Sequence, residues 1–178
     1  MGGADNTAAL YAGGNGVPTG ASAITELWNG TNWTEVNDLN TNRGNFAGAG
    51  ISTAMIAFGG YSTPPATRYA QTEYYNGTNW TELNDLNTAR SGLAGSGLYT
   101  SALAFGGETP PGADVANTEE WNGVSWAEVA DIPAGKTGLG GAAANNTAAL
   151  SFGGNPGYVT ATNEWSGSSN TTKTVDTD

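Results

Sequence analysis

The chain has 178 residues, of which 16 are acidic and only 5 basic, for a formal net charge of −11. Binding to nucleic acids or to anionic membranes requires clustered Lys and Arg, and the basic residues here are scattered, which argues against both kinds of partner. The absence of Cys and His removes disulfides and the commonest acid–base and transition-metal side chain. No apolar run is long enough to span a bilayer, so membrane insertion is not expected, and MGGADNTAAL lacks the pattern of a signal peptide.

Four sequence markers recur with a common period of about 46 residues, which indicates internal repeats. Glycine pairs occur at Gly13-Gly14, Gly59-Gly60, Gly106-Gly107 and Gly153-Gly154. A first aromatic residue follows each pair, at Trp28, Tyr75, Trp121 and Trp165. A second position, five residues later, holds Trp33, Trp80, Trp126 and Asn170. A basic residue follows each of those three Trp by ten positions, at Arg43, Arg90 and Lys136.

The sequence of each unit predicts four strands, in the same order along the chain. A strand of small residues, such as FAGAG or LAGSG, precedes an apolar strand, such as TAMIAF or SALAF, that ends at the glycine pair. A variable loop leads to a third strand that ends at the first aromatic residue. Asn-Gly then predicts a tight hairpin, because both residues tolerate positive φ, and the fourth strand begins near the second aromatic. Four strands per unit indicate a propeller blade.

These markers resemble those of the Kelch-repeat family, whose unit has a glycine pair, a Tyr, a Trp about six residues later and a basic residue before the next repeat. The segment TEYYNGTNWTELNDLNTAR carries the later markers at Tyr75, Trp80 and Arg90. The resemblance covers essentially the whole chain and implies an all-β fold. We expect one propeller domain over residues 1–178, with four-stranded blades at about 1–42, 43–89, 90–135 and 136–178. The type rich in Asn, Thr and Gly is similar to phage virion proteins and environmental bacterial surface proteins.

The innermost strand of each predicted blade is rich in Gly and Ala, as in Gly95 and Ala94 of the third unit. Small residues suit strands that converge on a narrow axis, which favours a closed ring of four blades. The alternative is a half-ring completed by a second copy of the chain. The repeated aromatic residues are expected to pack between neighbouring blades, where a ring buries much apolar area.

The loops after the glycine pairs differ from unit to unit, whereas the Asn-Gly hairpins on the opposite face repeat. Variable loops on a constant framework are where binding specificity is usually placed. The candidate partner-binding residues are Tyr61, Arg68, Tyr69, Glu108, Asp114 and Tyr158. The alternative is that Pro64-Pro65 and Pro110-Pro111 merely stiffen solvent-exposed loops.

No catalytic constellation or cofactor motif emerges from the sequence. Glu26, Glu73 and Glu119 recur with the period, and so do Glu35, Glu82 and Glu128, so we interpret them as framework residues rather than as an acid pair. The segment DLNTNRG from Asp38 lacks the glycine and the closing Glu of a calcium loop. We therefore expect no enzyme activity, no metal and no cofactor.

The sequence favours a non-enzymatic structural or adhesive propeller that binds a protein or a surface glycan, with self-association as a further expectation. The resemblance places it in a virion or on an extracellular surface. The first alternative is a cytoplasmic Kelch scaffold for protein interactions. The second alternative is a carboxylate-dependent glycoside hydrolase or lyase.

Overall fold

The structure is a computed structural model that describes residues 2–5, 7–16, 20–157, 162–167 and 170–171. The described residues form β-strands, turns and loops, without any helix. In chain order the strands are β1 (Gly2–Asp5), β2 (Ala8–Ala12), β3 (Asn15–Gly16), β4 (Gly20–Ala21), β5 (Thr25–Trp28), β6 (Trp33–Val36), β7 (Ala47–Ile51), β8 (Ala54–Phe58), β9 (Tyr61–Ser62), β10 (Thr67–Arg68), β11 (Thr72–Tyr75), β12 (Trp80–Glu82), β13 (Ala94–Leu98), β14 (Ser101–Phe105), β15 (Glu108–Thr109), β16 (Ala113–Asp114), β17 (Thr118–Trp121), β18 (Trp126–Val129), β19 (Thr137–Asn145), β20 (Ala148–Asn155), β21 (Thr162–Trp165) and β22 (Asn170–Thr171).

These strands form four antiparallel sheets of four strands each, one per sequence repeat. Sheet 1 has the order β1-β2-β5-β6, sheet 2 β7-β8-β11-β12, sheet 3 β13-β14-β17-β18 and sheet 4 β19-β20-β21-β22. Between the second and third strands of sheets 1 to 3, the chain forms a two-stranded ribbon: β3-β4, β9-β10 and β15-β16. The all-β architecture and the four-strand order within each unit agree with the sequence prediction.

The repeated Asn-Gly phrase forms the hairpin between the two outermost strands of a sheet. In sheet 1, Trp28 pairs with Trp33 across β5 and β6. The Asn29 side chain closes the turn, because its Oδ1 accepts hydrogen bonds from the backbone N–H groups of Thr31 (2.9 Å) and Asn32 (3.0 Å). Asn76 and Asn122 close the corresponding hairpins in sheets 2 and 3 in the same way. The chemistry of this turn is therefore local and repeats with the sequence.

The glycine pairs follow the second strand of units 1 to 3 and lie within β20 in unit 4, and φ is positive at both residues of every pair. At Gly59, with φ of 68°, a Cβ atom would lie 2.7 Å from the carbonyl oxygen of Arg90. Only glycine combines this backbone conformation with so close an approach. The conformation turns the chain out of the sheet and into the ribbon, while the linker of the next repeat packs against it.

The four sheets stack in chain order, and the innermost strands contact one another in the order β1, β7, β13 and β19. Each sheet has two faces because side chains alternate along a strand. We call one the Trp face, which in sheet 2 carries Met55, Ala57, Glu73, Tyr75 and Trp80. We call the other the aliphatic face, which in sheet 2 carries Ile56, Phe58 and Thr72.

The core lies between the sheets, where the Trp face of one packs on the aliphatic face of the preceding one. Between sheets 1 and 2, Leu10 belongs to one buried cluster with Met55, Tyr75 and Trp80. Between sheets 2 and 3, the ring of Phe58 lies 4.7 Å from that of Trp126 in an edge-to-face arrangement. Two equivalent junctions therefore bury the aromatic residues of successive repeats in the same way.

One hydrogen bond repeats at these junctions and joins the sheets directly. The indole N–H of Trp80 donates to Thr25 Oγ1 of sheet 1 at 3.1 Å, and that of Trp126 donates to Thr72 Oγ1 of sheet 2 at 3.0 Å. Asn170 occupies the corresponding position of sheet 4. Thr118 Oγ1 of sheet 3 is accordingly buried without a hydrogen-bond partner among the described residues.

Trp33 differs from the expectation that every repeated aromatic packs between blades. Its side chain is 48% exposed, whereas Trp80 and Trp126 at the same repeat position are 6% exposed. The reason is its place on the Trp face of sheet 1, which no other described sheet covers. Leu150 and Phe152, on the aliphatic face of sheet 4, are exposed in the same way. The expected closure into one ring of four blades is therefore not seen in the described part of the chain.

Candidate functional site

The buried charges belong to the framework rather than to a reactive site. Arg43 donates to the Glu73 carboxylate at 2.5 Å and to the carbonyl oxygens of Gly59 and Gln71, and neither charged side chain is exposed. Glu73 also accepts hydrogen bonds from the backbone and side chain of Asn40. Burial lowers the pKa of the Arg43 guanidinium, an effect that the Glu73 charge opposes.

Arg90 and Glu119 repeat this arrangement one sheet further on. Their charged groups lie 3.1 Å apart and are fully buried, and burial again lowers the pKa of Arg90 against the opposing Glu119 charge. Asn87 donates to Glu119 as Asn40 does to Glu73. Such pairing satisfies each buried carboxylate and the terminal nitrogens of each guanidinium, while Arg90 Nε has no hydrogen-bond partner among the described residues. The periodic carboxylates Glu73 and Glu119 thus hold the linkers in place.

The residues that differ between repeats meet at the opposite end of these linkers. They lie on the side of the stack that carries the loops after the glycine pairs, which we call the loop face. Tyr61 pairs with Arg68 across the ribbon β9-β10, and Glu108 pairs with Asp114 across β15-β16. Isolated β-bridges join both ribbons to the linkers, because Tyr61 pairs with Gly44 and Glu108 pairs with Ser91. Backbone hydrogen bonds therefore place groups from two successive repeats side by side.

Arg68 and Glu108 form an ion pair between the second and third repeats. Their side chains are 20% and 30% exposed, so the pair lies at the surface of the loop face and not in the core. The Nε atom of Arg68 is buried and has no hydrogen-bond partner among the described residues. The guanidinium consequently keeps an unused donor beside its carboxylate partner.

Around this pair lies an open cleft of about 280 Å³. Its lining is mainly polar and consists of Asn45, Tyr61, Ala66, Thr67, Arg68, Ser91 and Glu108. A second cleft of about 420 Å³ adjoins it and shares Asn45; its other lining residues are Phe46, Gly92, Leu93, Thr137, Gly138, Gly154 and Asn155. Together the two clefts run across the linkers that enter sheets 2, 3 and 4.

Asn45 lies at the boundary of the two clefts. It is the one non-glycine residue with positive φ (50°) in the described part of the chain, and Gly92 and Gly138 occupy its repeat position. Asn tolerates this conformation better than other side chains do. Its Oδ1 atom accepts a hydrogen bond from Asn15 at 3.2 Å, which orients the amide.

The six residues predicted for the loop face have different places in the structure. Tyr61, Arg68 and Glu108 line the same cleft. Asp114 is exposed at the end of its ribbon and does not line the cleft. Tyr69 belongs to the framework, because its hydroxyl is hydrogen-bonded to Ser62 at 2.6 Å and its ring lies 5.8 Å from the Arg43 guanidinium carbon. Tyr158 lies outside the described residues.

Sequence reasoning missed the linker side of the cleft, namely Asn45 and Ser91, and also Thr67 of the ribbon β9-β10. Asn45 and Ser91 follow the basic residue of each repeat by one or two positions, where the chain enters the innermost strand. The signal was available at Asn45, since Asn replaces the glycine found at that repeat position. The short polar Ser91 offered no comparable signal, because its role depends on the neighbouring ribbon.

No group of three or more acidic residues that could hold a metal ion is found in the part of the chain that the structure describes. Over the same residues, no helix is long and apolar enough to cross a membrane. No protein-family model matches the chain, and no curated protein matches it in sequence.

Proposed function

We propose that the chain is a Kelch-like β-propeller module, with the four sheets as its blades, that binds a surface glycan through the loop-face cleft without chemical turnover. The observation that carries the proposal is the cleft itself. Asn45 and Arg68 of the second repeat meet Glu108 of the third at one place on a framework of hydrogen-bonded linkers. Among the loops that the structure describes, such a combination of groups occurs once, whereas the opposite face repeats the same hairpin.

The lining suits a ligand rich in hydroxyl groups. The amide of Asn45, the hydroxyl of Ser91 and the exposed part of the Arg68 guanidinium provide donors and acceptors that a sugar can match. Tyr61 adds an aromatic ring that can pack against the apolar face of a pyranose and a hydroxyl that can hydrogen-bond to it. Because the cleft is open rather than enclosed, it suits the end or side of a chain of sugars.

The setting proposed for this binding is the outside of a virion or a cell, where an adhesive module meets glycans. The low content of charged residues, 12% of the chain, and the repeats rich in Asn, Thr and Gly support this setting. The alternative is a cytoplasmic Kelch scaffold that binds a protein through the same face. Binding of a glycan distinguishes the first setting from the second.

The test is a glycan array followed by titration of the best ligand. The Tyr61→Ala and Arg68→Ala double variant is expected to lower affinity at least tenfold, about 1.4 kcal/mol. Val124→Ala is the matched control, since Val124 is 68% exposed beside the hairpin of sheet 3. Tyr69 is left unchanged because its hydrogen bond to Ser62 makes it part of the framework.

The melting temperature of both variants should stay close to that of the parent chain, because changes at the surface usually alter stability by about half a kcal/mol. Unchanged affinity of the double variant, or lost affinity of Val124→Ala, would place the site elsewhere. Release of sugar from the bound glycan would contradict binding without turnover. A Glu108→Gln variant would then show whether that carboxylate takes part.

A further inference from the structure

Two faces of the stacked sheets are left uncovered by the residues that the structure describes, and they are of opposite kinds. In β8 of sheet 2 and β14 of sheet 3 the last four residues are all buried, since another sheet covers each face. In β20 of sheet 4 the first five residues alternate between exposed and buried, which means that one face meets solvent. The uncovered faces are the Trp face of sheet 1 and the aliphatic face of sheet 4.

The Trp face of sheet 1 carries the same groups that pack against the preceding sheet in sheets 2 and 3. Trp33 is 48% exposed and Tyr11 39% exposed. Glu26 occupies the repeat position of Glu73 and Glu119, which accept hydrogen bonds from Asn and Arg of the preceding linker. Among the described residues Glu26 has no such donor. The Trp face of sheet 1 thus carries the side chains of a junction, but the described residues include no preceding sheet that packs against it.

The aliphatic face of sheet 4 presents the complementary surface. Leu150 is 42% and Phe152 43% exposed. The residues at their repeat positions in sheets 2 and 3 are buried, with exposures of 0% to 3%: Ile56, Phe58, Leu103 and Phe105. Thr162 occupies the position from which Thr25 and Thr72 accept the indole N–H of the next sheet. Apart from Thr162 and Glu164 on β21, this face is an apolar surface of the kind that elsewhere receives a Trp face.

We propose that a second copy of this chain covers these faces, with the Trp face of sheet 1 of one copy seated on the aliphatic face of sheet 4 of the other. Trp33 then packs against Leu150 and Phe152 as Trp126 packs against Phe58. The indole N–H of Trp33 donates to Thr162 of the partner copy. The occupant is another copy because the two uncovered faces repeat the two halves of a junction that this chain already forms within itself.

The geometry of this contact sets the size of the assembly. The two faces lie at opposite ends of the stack, so the contact is head-to-tail rather than between identical patches. Two copies that meet at both ends form one ring of eight sheets, which lies within the range of about four to eight blades found in propellers. The expected species in solution is therefore a dimer with two equivalent junctions.

The experiment measures the mass of the full chain by light scattering, with one variant blocked at each end. Trp33→Glu blocks the Trp face of sheet 1, and the Leu150→Glu and Phe152→Glu double variant blocks the aliphatic face of sheet 4. These side chains are exposed in a single copy, so the variants should fold, and circular dichroism checks this. Val124→Glu is the control for an exposed apolar residue replaced by a charge away from both faces.

The parent chain and Val124→Glu should have twice the mass of one chain. Each blocked variant alone should have the mass of a single chain, because it lacks one half of every head-to-tail contact. An equal mixture of the two blocked variants keeps one intact junction of the two, so it should dimerise more weakly than the parent chain but more strongly than either variant alone. A monomeric parent chain, a Trp33→Glu variant that still dimerises, or a mixture with no more association than each variant alone at the highest concentration measured would overturn the proposal.

Discussion

At the scale of the single residue, Trp80 and Trp33 occupy one repeat position but have different surroundings. Trp80→Ala should lower the free energy of unfolding by about 3–5 kcal/mol, because it empties a packed junction and removes the hydrogen bond to Thr25. Trp33→Ala should cost less than about 1 kcal/mol in a single copy. The measurement is urea denaturation in the Leu150→Glu and Phe152→Glu background, which removes the effect of association.

Equal losses for the two substitutions would contradict the assignment of Trp33 to an uncovered face. A small loss at Trp80 would mean that the junction between sheets 1 and 2 does not depend on its ring. Both outcomes can be distinguished because the two residues share their local sequence, Asn-Trp-Thr-Glu, and differ only in what packs against them.

The buried pair of Arg90 and Glu119 leads to a second prediction. Glu119→Gln should lower stability by about 3–5 kcal/mol, since it leaves a buried guanidinium without its counter-charge. Glu82→Gln is the control, because Glu82 is exposed in sheet 2, and it should change stability by less than about half a kcal/mol. Replacing both partners by apolar residues, as in Arg90→Met with Glu119→Leu, should restore part of the loss. Chemical denaturation of the three variants measures all of these effects.

The stability of the double variant separates the contribution of the ion pair from that of the hydrogen bonds around it. If the double variant were less stable than Glu119→Gln alone, the hydrogen bonds from Arg90 to the carbonyl oxygens of Gly106 and Asn117 would matter more than the ion pair. If Glu119→Gln had no effect, the carboxylate would not be needed as a charge.

At the scale of the element, two of the glycine turns allow the cost of backbone strain to be measured separately from the cost of steric contact. Gly59 and Gly153 occupy the same repeat position and have φ of 68° and 71°. A Cβ at Gly59 would meet the Arg90 carbonyl oxygen at 2.7 Å and Leu93 at 2.9 Å, whereas no described atom lies within 4 Å of one at Gly153. Gly153→Ala should therefore cost about 1–2 kcal/mol, from the left-handed conformation alone.

Gly59→Ala should cost about 1–3 kcal/mol more than Gly153→Ala, because the added methyl group forces the linker of the next repeat to move. Thermal denaturation of the two variants compares them directly. Similar losses at both positions would mean that the linker yields easily, and the packing of the glycine pair against the linker would then contribute little to holding neighbouring sheets together.

At the scale of the whole molecule, the three internal junctions are not equal. The junction between sheets 3 and 4 has Pro133, Lys136, Asn163 and Asn170 where the preceding junction has Asn87, Arg90, Glu119 and Trp126. It thus lacks the buried ion pair of the other two, and Thr118 Oγ1 is left without a partner in the described residues. In a stack of repeats, stability is approximately the sum of each unit and its neighbouring junctions.

Sheet 4 should consequently open before sheets 2 and 3. We expect the amide hydrogens of β20 and β21 to exchange at least about tenfold faster than those of β14 and β17 under native conditions. Hydrogen exchange followed by mass spectrometry of peptides measures this. In the dimer the difference should shrink, because a second copy covers the aliphatic face of sheet 4. Uniform protection of all four sheets in a single copy would show that the stack unfolds as one unit.

Much of this protein is determined by short stretches of its sequence. The alternation of apolar residues predicts the strands, Asn29 and its equivalents close the hairpins through bonds to their own backbone, and the glycine pairs supply positive φ. These interactions are local, so they repeat whenever the phrase repeats. The period of the markers therefore predicted the unit, its strand order and the face on which the loops vary.

Other features are decided only by what the fold brings together over long separations. The pairing of Arg43 with Glu73, the contribution of Asn45 to the cleft and the exposure of Trp33 depend on which sheet lies opposite. Identical phrases carry no information about such neighbours. Trp33 and Trp80 lie in the same local sequence, but Trp33 is exposed to solvent and Trp80 is hydrogen-bonded to Thr25. The burial of each side chain depends on which sheet packs against it and not on the residue itself.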